Sequence, residues 1–191
     1  FMNNCYLDAE AVITFFRMTG RKHIFITGSR GSGKSHLVNN MLKHMSDSFN
    51  LLQSHRTDTP QVVIKSNLVA DNKEFVIGVP RTSGINPASK GNNMIIIEDG
   101  FINCAIPAIN THLDTTPEKL FVIDELGYLE SACIPFQKAV EKLLDNSHVL
   151  AVIRKQSTEF LNRICNRKDV LVIDIDSTFE TLSCIIRAKT F

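Results

Sequence analysis

Gly28-Ser29-Arg30-Gly31-Ser32-Gly33-Lys34-Ser35 follows directly on the apolar run Ile24-Phe25-Ile26 and leads into Leu37, Met41, Leu42 and Met45, which fall on one side of a helix. The eight residues satisfy G-x-x-x-x-G-K-[ST], the Walker A phosphate-loop pattern, in the strand-loop-helix context that gives it physical meaning. Four residues between the framing glycines let successive backbone N–H groups point into one concavity, and the following helix adds its positive N-terminal end. Gly31 and Gly33 permit close backbone approach. A polyphosphate fits such a cradle. Lys34 then reaches the β- and γ-phosphates as a mobile point charge, and the Ser35 hydroxyl is an oxygen ligand for Mg²⁺. The nucleotide-binding set read from this stretch is Gly28, Ser29, Arg30, Gly31, Ser32, Gly33, Lys34, Ser35 and His36.

The strand carrying the loop, His23 to Thr27, is expected at the centre of a sheet. A helix over Leu7 to Met18, closed by Gly20, precedes it. A helix from about Gly33 to Asp47 follows and turns its apolar side to the sheet. Gln53 to Pro60 reads as a polar connection, and Gln61 to Asn67 with Glu74 to Pro80 as a hairpin around Ala70 to Lys73. Arg81 to Asn93, rich in Gly, Ser, Asn and Pro, reads as a loop of about a dozen residues, a length usually functional or mobile. Met94 to Ile97 is a short strand, and Phe101 to Leu113 a helix that Pro107 kinks or starts late.

Leu120-Phe121-Val122-Ile123 is an uninterrupted apolar run, as in a strand buried on both faces of a parallel sheet. It ends in Asp124-Glu125. A helix from Cys133 or Pro135 to Leu144, a strand His148 to Ile153, a helix Thr158 to Cys165, a strand Val170 to Ile175 and a helix Ser177 to Ala188 complete the chain. This alternation implies an α/β fold with a mainly parallel sheet covered on both faces, and ligands beyond the carboxyl ends of its strands. Asp124 is placed to orient the waters of a Mg²⁺ held by Ser35 and phosphate oxygens, from the end of a strand neighbouring the first. Glu125 is placed to polarise a water in line with the γ-phosphate, so hydrolysis is favoured over transfer to an acceptor hydroxyl. The catalytic pair is Lys34 and Glu125, and the metal ligands are Ser35 and Asp124. Arg30, Arg81 and Arg154 are candidates for a further cation.

The bulk numbers narrow the classes. A chain of 191 residues, 43% hydrophobic, suits one domain over residues 1–191. A net charge of +1, from 21 basic and 20 acidic residues, gives no field for nucleic acid or an anionic membrane. Cys5, Cys104, Cys133, Cys165 and Cys184 have no metal-site spacing and read as buried thiols in a reducing compartment. No apolar run approaches the roughly 18 residues of a membrane span and no leader is evident, so a soluble, cytoplasmic protein is expected. Phe1 ahead of Met2 suggests a native start at Met2. His36 and His44 read as exposed or core-edge residues.

Phe121 to Phe136, Phe-Val-Ile-Asp-Glu-Leu-Gly-Tyr-Leu-Glu-Ser-Ala-Cys-Ile-Pro-Phe, resembles the thermophile-type or cancer-related nucleoside-triphosphatases, a family of small P-loop NTPases. Asp124, Glu125, Gly127, Glu130, Ser131 and Phe136 match its pattern, and the likeness continues through the following helix and strands. The resemblance implies a RecA-like three-layer sandwich with a mainly parallel central sheet. It also implies Mg²⁺-dependent hydrolysis of nucleoside triphosphates, ATP and GTP among them, with loose base preference. Glu130 becomes a second acidic residue near the site, against its alternative as an exposed helix-start carboxylate. The family's Arg-x-Gly-Phe-like and Gly-Lys-Tyr-like segments have no clean counterpart between Asp58 and Phe101, and Tyr128 stands where proline is usual. An unidentified protein partner supplying a cation fits that departure. The two other readings the residues allow are a nucleotide-gated switch with negligible turnover and a kinase acting on a nucleoside or cofactor precursor.

Overall fold

A computed structural model describes residues 8–45, 48–81 and 94–177. Helix α1 (Ala9–Thr19) starts where the Asp8 side chain accepts the Glu10 N–H and ends at Gly20 with φ 65°, a left-handed closure that glycine adopts without strain. Strand β1 (His23–Thr27) and helix α2 (Lys34–Met45) bracket the glycine-rich loop. Then come β2 (Phe49–Arg56), β3 (Val62–Ser66), β4 (Phe75–Pro80) and β5 (Met94–Ile96). A single turn α3 (Glu98–Gly100), a π-turn over Phe101–Ala105 and α4 (Ile106–Thr115) run on as one helix. After β6 (Leu120–Leu126) follow α5 (Ile134–Asn146), β7 (His148–Ile153), α6 (Glu159–Cys165) and β8 (Val170–Asp174).

The eight strands form one sheet in the order β5-β4-β3-β2-β6-β7-β1-β8. From β2 to β8 the pairings are parallel; β3, β4 and β5 extend it antiparallel. Alternation along each strand sorts side chains to two faces. Ile24, Ile26, Val122, Leu150, Val152, Leu171 and Ile173 pack with α1 and α2. Phe25, Phe121, Ile123, Val149, Ala151 and Ile153 pack with α4, α5 and α6. Helix α5 meets that face with Phe136, Ala139, Val140, Leu143 and Leu144, the i, i+3, i+4, i+7, i+8 stripe of a core-facing helix. Each fully buried phenylalanine, such as Phe121 or Phe136, contributes about 1.5–3 kcal/mol of transfer free energy. The result is the expected three-layer α/β sandwich.

Three expectations are corrected. Strand β1 is not central: it is seventh of the eight, between β7 and β8, because β2 and the antiparallel strands extend the sheet on the far side of β6. For the same reason β6 is not its neighbour; β7 lies between them. Gln53 to Pro60 is not wholly a connection, since Gln53 to Arg56 complete β2, paired to β6 from Phe49↔Leu120 to Gln53↔Asp124. Their polarity reflects what they face, a cavity at the strand ends. The hairpin forms, with β3 and β4 antiparallel around Ala70–Asn72, where Asp71 takes φ 63°. Pro107 sits in the first turn of α4, so the α-helix proper starts late, directly behind the π-turn Phe101–Ala105. Proline lacks an N–H and its ring crowds the carbonyl four residues back. The helix widens just ahead of it, with Ile106 N–H bonding to Phe101 O five residues back. The loop 82–93, the helix after Ser177, Cys5 and Cys184 lie outside the described residues. Of the other cysteines, Cys104 and Cys133 are buried and Cys165 is half-buried; burial raises Cys104 and Cys165 to about 11.

Candidate active site

Because β2, β6, β7, β1 and β8 run parallel, their carboxyl ends deliver five segments to one edge of the sheet. These are Gln53–Arg56, Asp124–Leu126, Arg154–Gln156, the loop Gly28–Ser35 and Asp174–Asp176. The loop turns through Gly28, Gly31 and Gly33 at φ 155°, 76° and 93°. All three lie where a side chain is strained. Lys34 Nζ lies over the loop and donates to Gly28 O at 2.9 Å and Ser29 O at 2.8 Å. Ser32 Oγ donates to Ser29 O at 2.7 Å.

Every residue from Gly28 to His36 lines a cleft of about 840 Å³, closed on its far side by Arg56, Glu125, Arg154 and Lys155. A second cavity of about 340 Å³ adjoins it, reaching past Asp124 and Glu125 to Gln53, Ser54, Tyr128 and Glu130. Ser35, Arg56, Glu125 and Arg154 line both. Sequence-selected residues from distant segments are therefore brought together: the whole loop set with Asp124, Glu125 and Arg154. Arg81, beyond β4, lines neither cavity. Arg30 lies on the exposed rim of the loop.

The acidic strand end is held from several sides. Asp124 pairs with Val152 and Leu126 with Ile153, so Glu125 is an extra residue in the β6–β7 ladder. Such a bulge re-aims side chains beside a site. Arg154 Nε donates to Glu125 Oε1 at 2.5 Å. Gln53 Nε2 donates to Asp124 Oδ2 at 3.3 Å. Burial raises the Asp124 carboxyl above its ordinary value, opposed by that hydrogen bond and by the charge of Lys34. A carboxylate short of water in this way gains from a cation.

Glu130 is not an exposed helix-start residue. It is 5% exposed and accepts Gly127 N–H at 2.9 Å and Ser54 Oγ–H at 3.3 Å. Burial pushes its carboxyl up, and those hydrogen bonds oppose the shift. Ser54 Oγ also lies 3.3 Å from Glu125 O, so the buried glutamate braces the strand end that carries Asp124 and Glu125. Sequence reasoning missed Gln53, Ser54 and Arg56. They lie in a strand whose polar end hides its alternation; the signal available was the apolar Phe49, Leu51 and Leu52 just ahead of them. Lys155 was missed for lack of any motif.

Among the described residues, no helix is long and apolar enough to cross a membrane. Residues 23–180 match a family model described as NTPase. The chain is 26% identical over 155 residues to the nucleoside-triphosphatase THEP1 of Thermotoga sp. (strain RQ2), covering 80% of this chain and 86% of that protein. It is 23% identical over 154 residues to THEP1 of Thermotoga maritima, with coverages of 80% and 86%. Among solved structures, THEP1 from the hyperthermophile Aquifex aeolicus aligns with a TM-score of 0.63 at 18% identity, over 85% of this chain and 98% of that one. A human cancer-related nucleoside triphosphatase aligns at 0.59 and 20%, over 87% and 96%. At those identities the structural likeness speaks for the fold. The family model spans most of the chain, including both the phosphate loop and the acidic strand end, and the chain belongs to this NTPase family, a family of P-loop nucleoside-triphosphate phosphohydrolases.

Proposed function

We propose that this protein hydrolyses ATP, GTP and other nucleoside triphosphates to the diphosphate and phosphate in a Mg²⁺-dependent reaction. The observation that carries the reading is that Glu125, held by Arg154, borders the same cleft as the entire loop Gly28–His36. Loop N–H groups and the start of α2 bind the polyphosphate. Lys34, now on two loop carbonyls, exchanges them for phosphate oxygens. Ser35 and Asp124 line one cavity and offer only oxygen donors, the hard set that magnesium takes. Two protein oxygens suit an ion whose remaining positions substrate phosphates and water would fill. When bound, that ion neutralises charge on the β- and γ-phosphates.

Arg154 engages Oε1 of Glu125, leaving Oε2 to accept a proton from the attacking water. The water oxygen bonds to the γ-phosphorus as the bond to the β–γ bridging oxygen breaks, and that oxygen leaves with the diphosphate. Arg154 and Arg56 line both cavities, and this reading assigns to them the charge that develops.

The test is phosphate release from ATP, GTP, CTP and UTP with and without Mg²⁺, for the wild type and Lys34→Ala. The reading expects turnover of several nucleotides, lost without Mg²⁺ and lost with Lys34. No release from any of the four would overturn it.

A further inference from the structure

The edge of the site formed by β8 carries a cluster of which only Ser29 belongs to a sequence motif. Asp176 Oδ2 accepts from Ser29 N–H at 2.8 Å, from Ser29 Oγ–H at 2.7 Å and from Lys155 Nζ at 3.0 Å. Lys155 Nζ also lies 2.9 Å from Asp174 Oδ2. Ser29 and then Lys155 hold the Asp176 carboxyl down to about 2, so it is ionised throughout the neutral range.

Exposed ion pairs usually contribute little. This one differs in where it ends. Ser29 is one of the four positions that the phosphate-loop pattern leaves open, yet its backbone N–H belongs to the loop that must cradle phosphate. The loop also rides directly on the segment bearing Asp176: a Cβ on Gly28 would meet Ile175 Cγ1 at 2.7 Å and Asp176 Oδ1 at 3.3 Å. On the other side, Lys155 follows Arg154, whose backbone N–H donates to Leu126 O at 2.8 Å and whose side chain holds Glu125. A continuous path therefore runs from the loop through Asp176 and Lys155 to Arg154 and Glu125.

We propose that Asp176 is a positioning residue that ties the phosphate loop to the Arg154–Lys155 strand end and thereby sets Glu125 relative to the bound triphosphate. The proposal rests on the hydrolase reading above. It separates binding from turnover: loss of Asp176 leaves the cradle able to take phosphate but lets the water-polarising carboxylate drift from it. Misplacement of a reacting group by about 1 Å can cost on the order of a hundredfold in rate; a change acting through one intermediate residue is expected to cost about tenfold.

The experiment compares wild type, Asp176→Asn and Lys155→Met with Mg·ATP. Rates are expressed per nucleotide site titrated with a fluorescent ATP analogue, so that an unfolded fraction does not count. For both variants kcat per site should fall about tenfold with KM within threefold. Amide exchange over residues 153–157, slowed by ATP in the wild type, should no longer be slowed. A purely structural role would lower the number of titrated sites and leave kcat per site unchanged, which would overturn the proposal, as would a raised KM at preserved kcat. Absence of turnover in the wild type would instead defeat the hydrolase reading. The exchange arm then decides the coupling alone, and equal protection in wild type and variants would refute it. Lys155 is exposed, so its variant keeps the test valid if Asp176→Asn does not fold.

Discussion

Replacing Arg154 with alanine separates catalysis from stability sharply enough to decide what that side chain does. Its Nε lies 2.5 Å from Glu125 Oε1, yet the two side chains are 46% and 26% exposed. A pair so open to solvent contributes about 0–1 kcal/mol to folding, and for a chain this long that is a melting shift of no more than roughly 2–4 °C. The reaction is a different matter. An arginine fully engaged with the transferring phosphoryl group is worth about three to five orders of magnitude. Arg154 is half-exposed and shared with a carboxylate, which places it near or just below the bottom of that range, about 10²–10³, or roughly 2.7–4 kcal/mol of barrier. Steady-state phosphate release at saturating nucleotide, beside a thermal melt, reads both quantities. Arg154→Lys keeps the charge but not the planar fork and should recover only part of the rate. A kcat for Arg154→Ala within threefold of wild type would refute the reasoning; so would a melting drop of more than about 8 °C, which would make the residue structural.

Further outcomes follow from the fold. His23 is fully buried with neither ring nitrogen hydrogen-bonded and Nε2 3.4 Å from Asp169 Oδ2, and burial, opposed by that carboxylate, lowers it from 6.5 to about 4. Above pH 6.5 neither state is protonated, and between 6.5 and 4 only the unfolded chain takes the proton. Stability should thus fall by about 1.4 kcal/mol per unit, roughly 3 kcal/mol in all, then level off. Urea midpoints at pH 7, 5.5 and 4 should show a shallower fall in His23→Leu, with His112, also lowered by burial, supplying part of the remainder. Gly100→Ala would drive a Cβ to 2.3 Å from Val76 O. Such overpacking should cost about 1–3 kcal/mol, whereas Gly20→Ala, with nothing within 4 Å, should lose only about 1 kcal/mol to its left-handed backbone. Removing Glu130 as alanine strands the Gly127 N–H it accepts at 2.9 Å; the variant should lose about 1–3 kcal/mol by chemical denaturation, with turnover reduced as well.

The parallel half of the sheet was legible because its strands announce themselves. Ile24 to Ile26 and Leu120 to Ile123 are apolar throughout, and each ends in residues whose types have a chemical reason to be there. Strand order was not legible. The phosphate loop says that β1 ends at the site, but nothing in His23 to Thr27 says that β8 rather than a longer flank lies beyond it. The polar end of β2 was hidden because Gln53, Ser54, His55 and Arg56 face a cavity, which removes the hydrophobic signal from the positions that function needs. Glu130 was ambiguous for a similar reason: a carboxylate buried on the Gly127 N–H and Ser54 leaves the same mark in sequence as one in water. Arg154 could be nominated from its place after a strand, but its choice over Arg81 needed the fold, which puts β7 beside β6 and β4 two strands beyond β2.

The central claim is that Glu125 activates water on a nucleotide bound by the loop, and Glu125→Gln tests it most directly. The substitution keeps size and removes the proton acceptor. Nucleotide at a hundred times its dissociation constant should stabilise wild type and variant alike by about 2.7 kcal/mol, a melting shift of roughly 5–11 °C. Phosphate release by the variant should fall by about two to four orders of magnitude. Equal binding with an unchanged rate would contradict the account and send the search to another base, an acceptor hydroxyl or a switch partner.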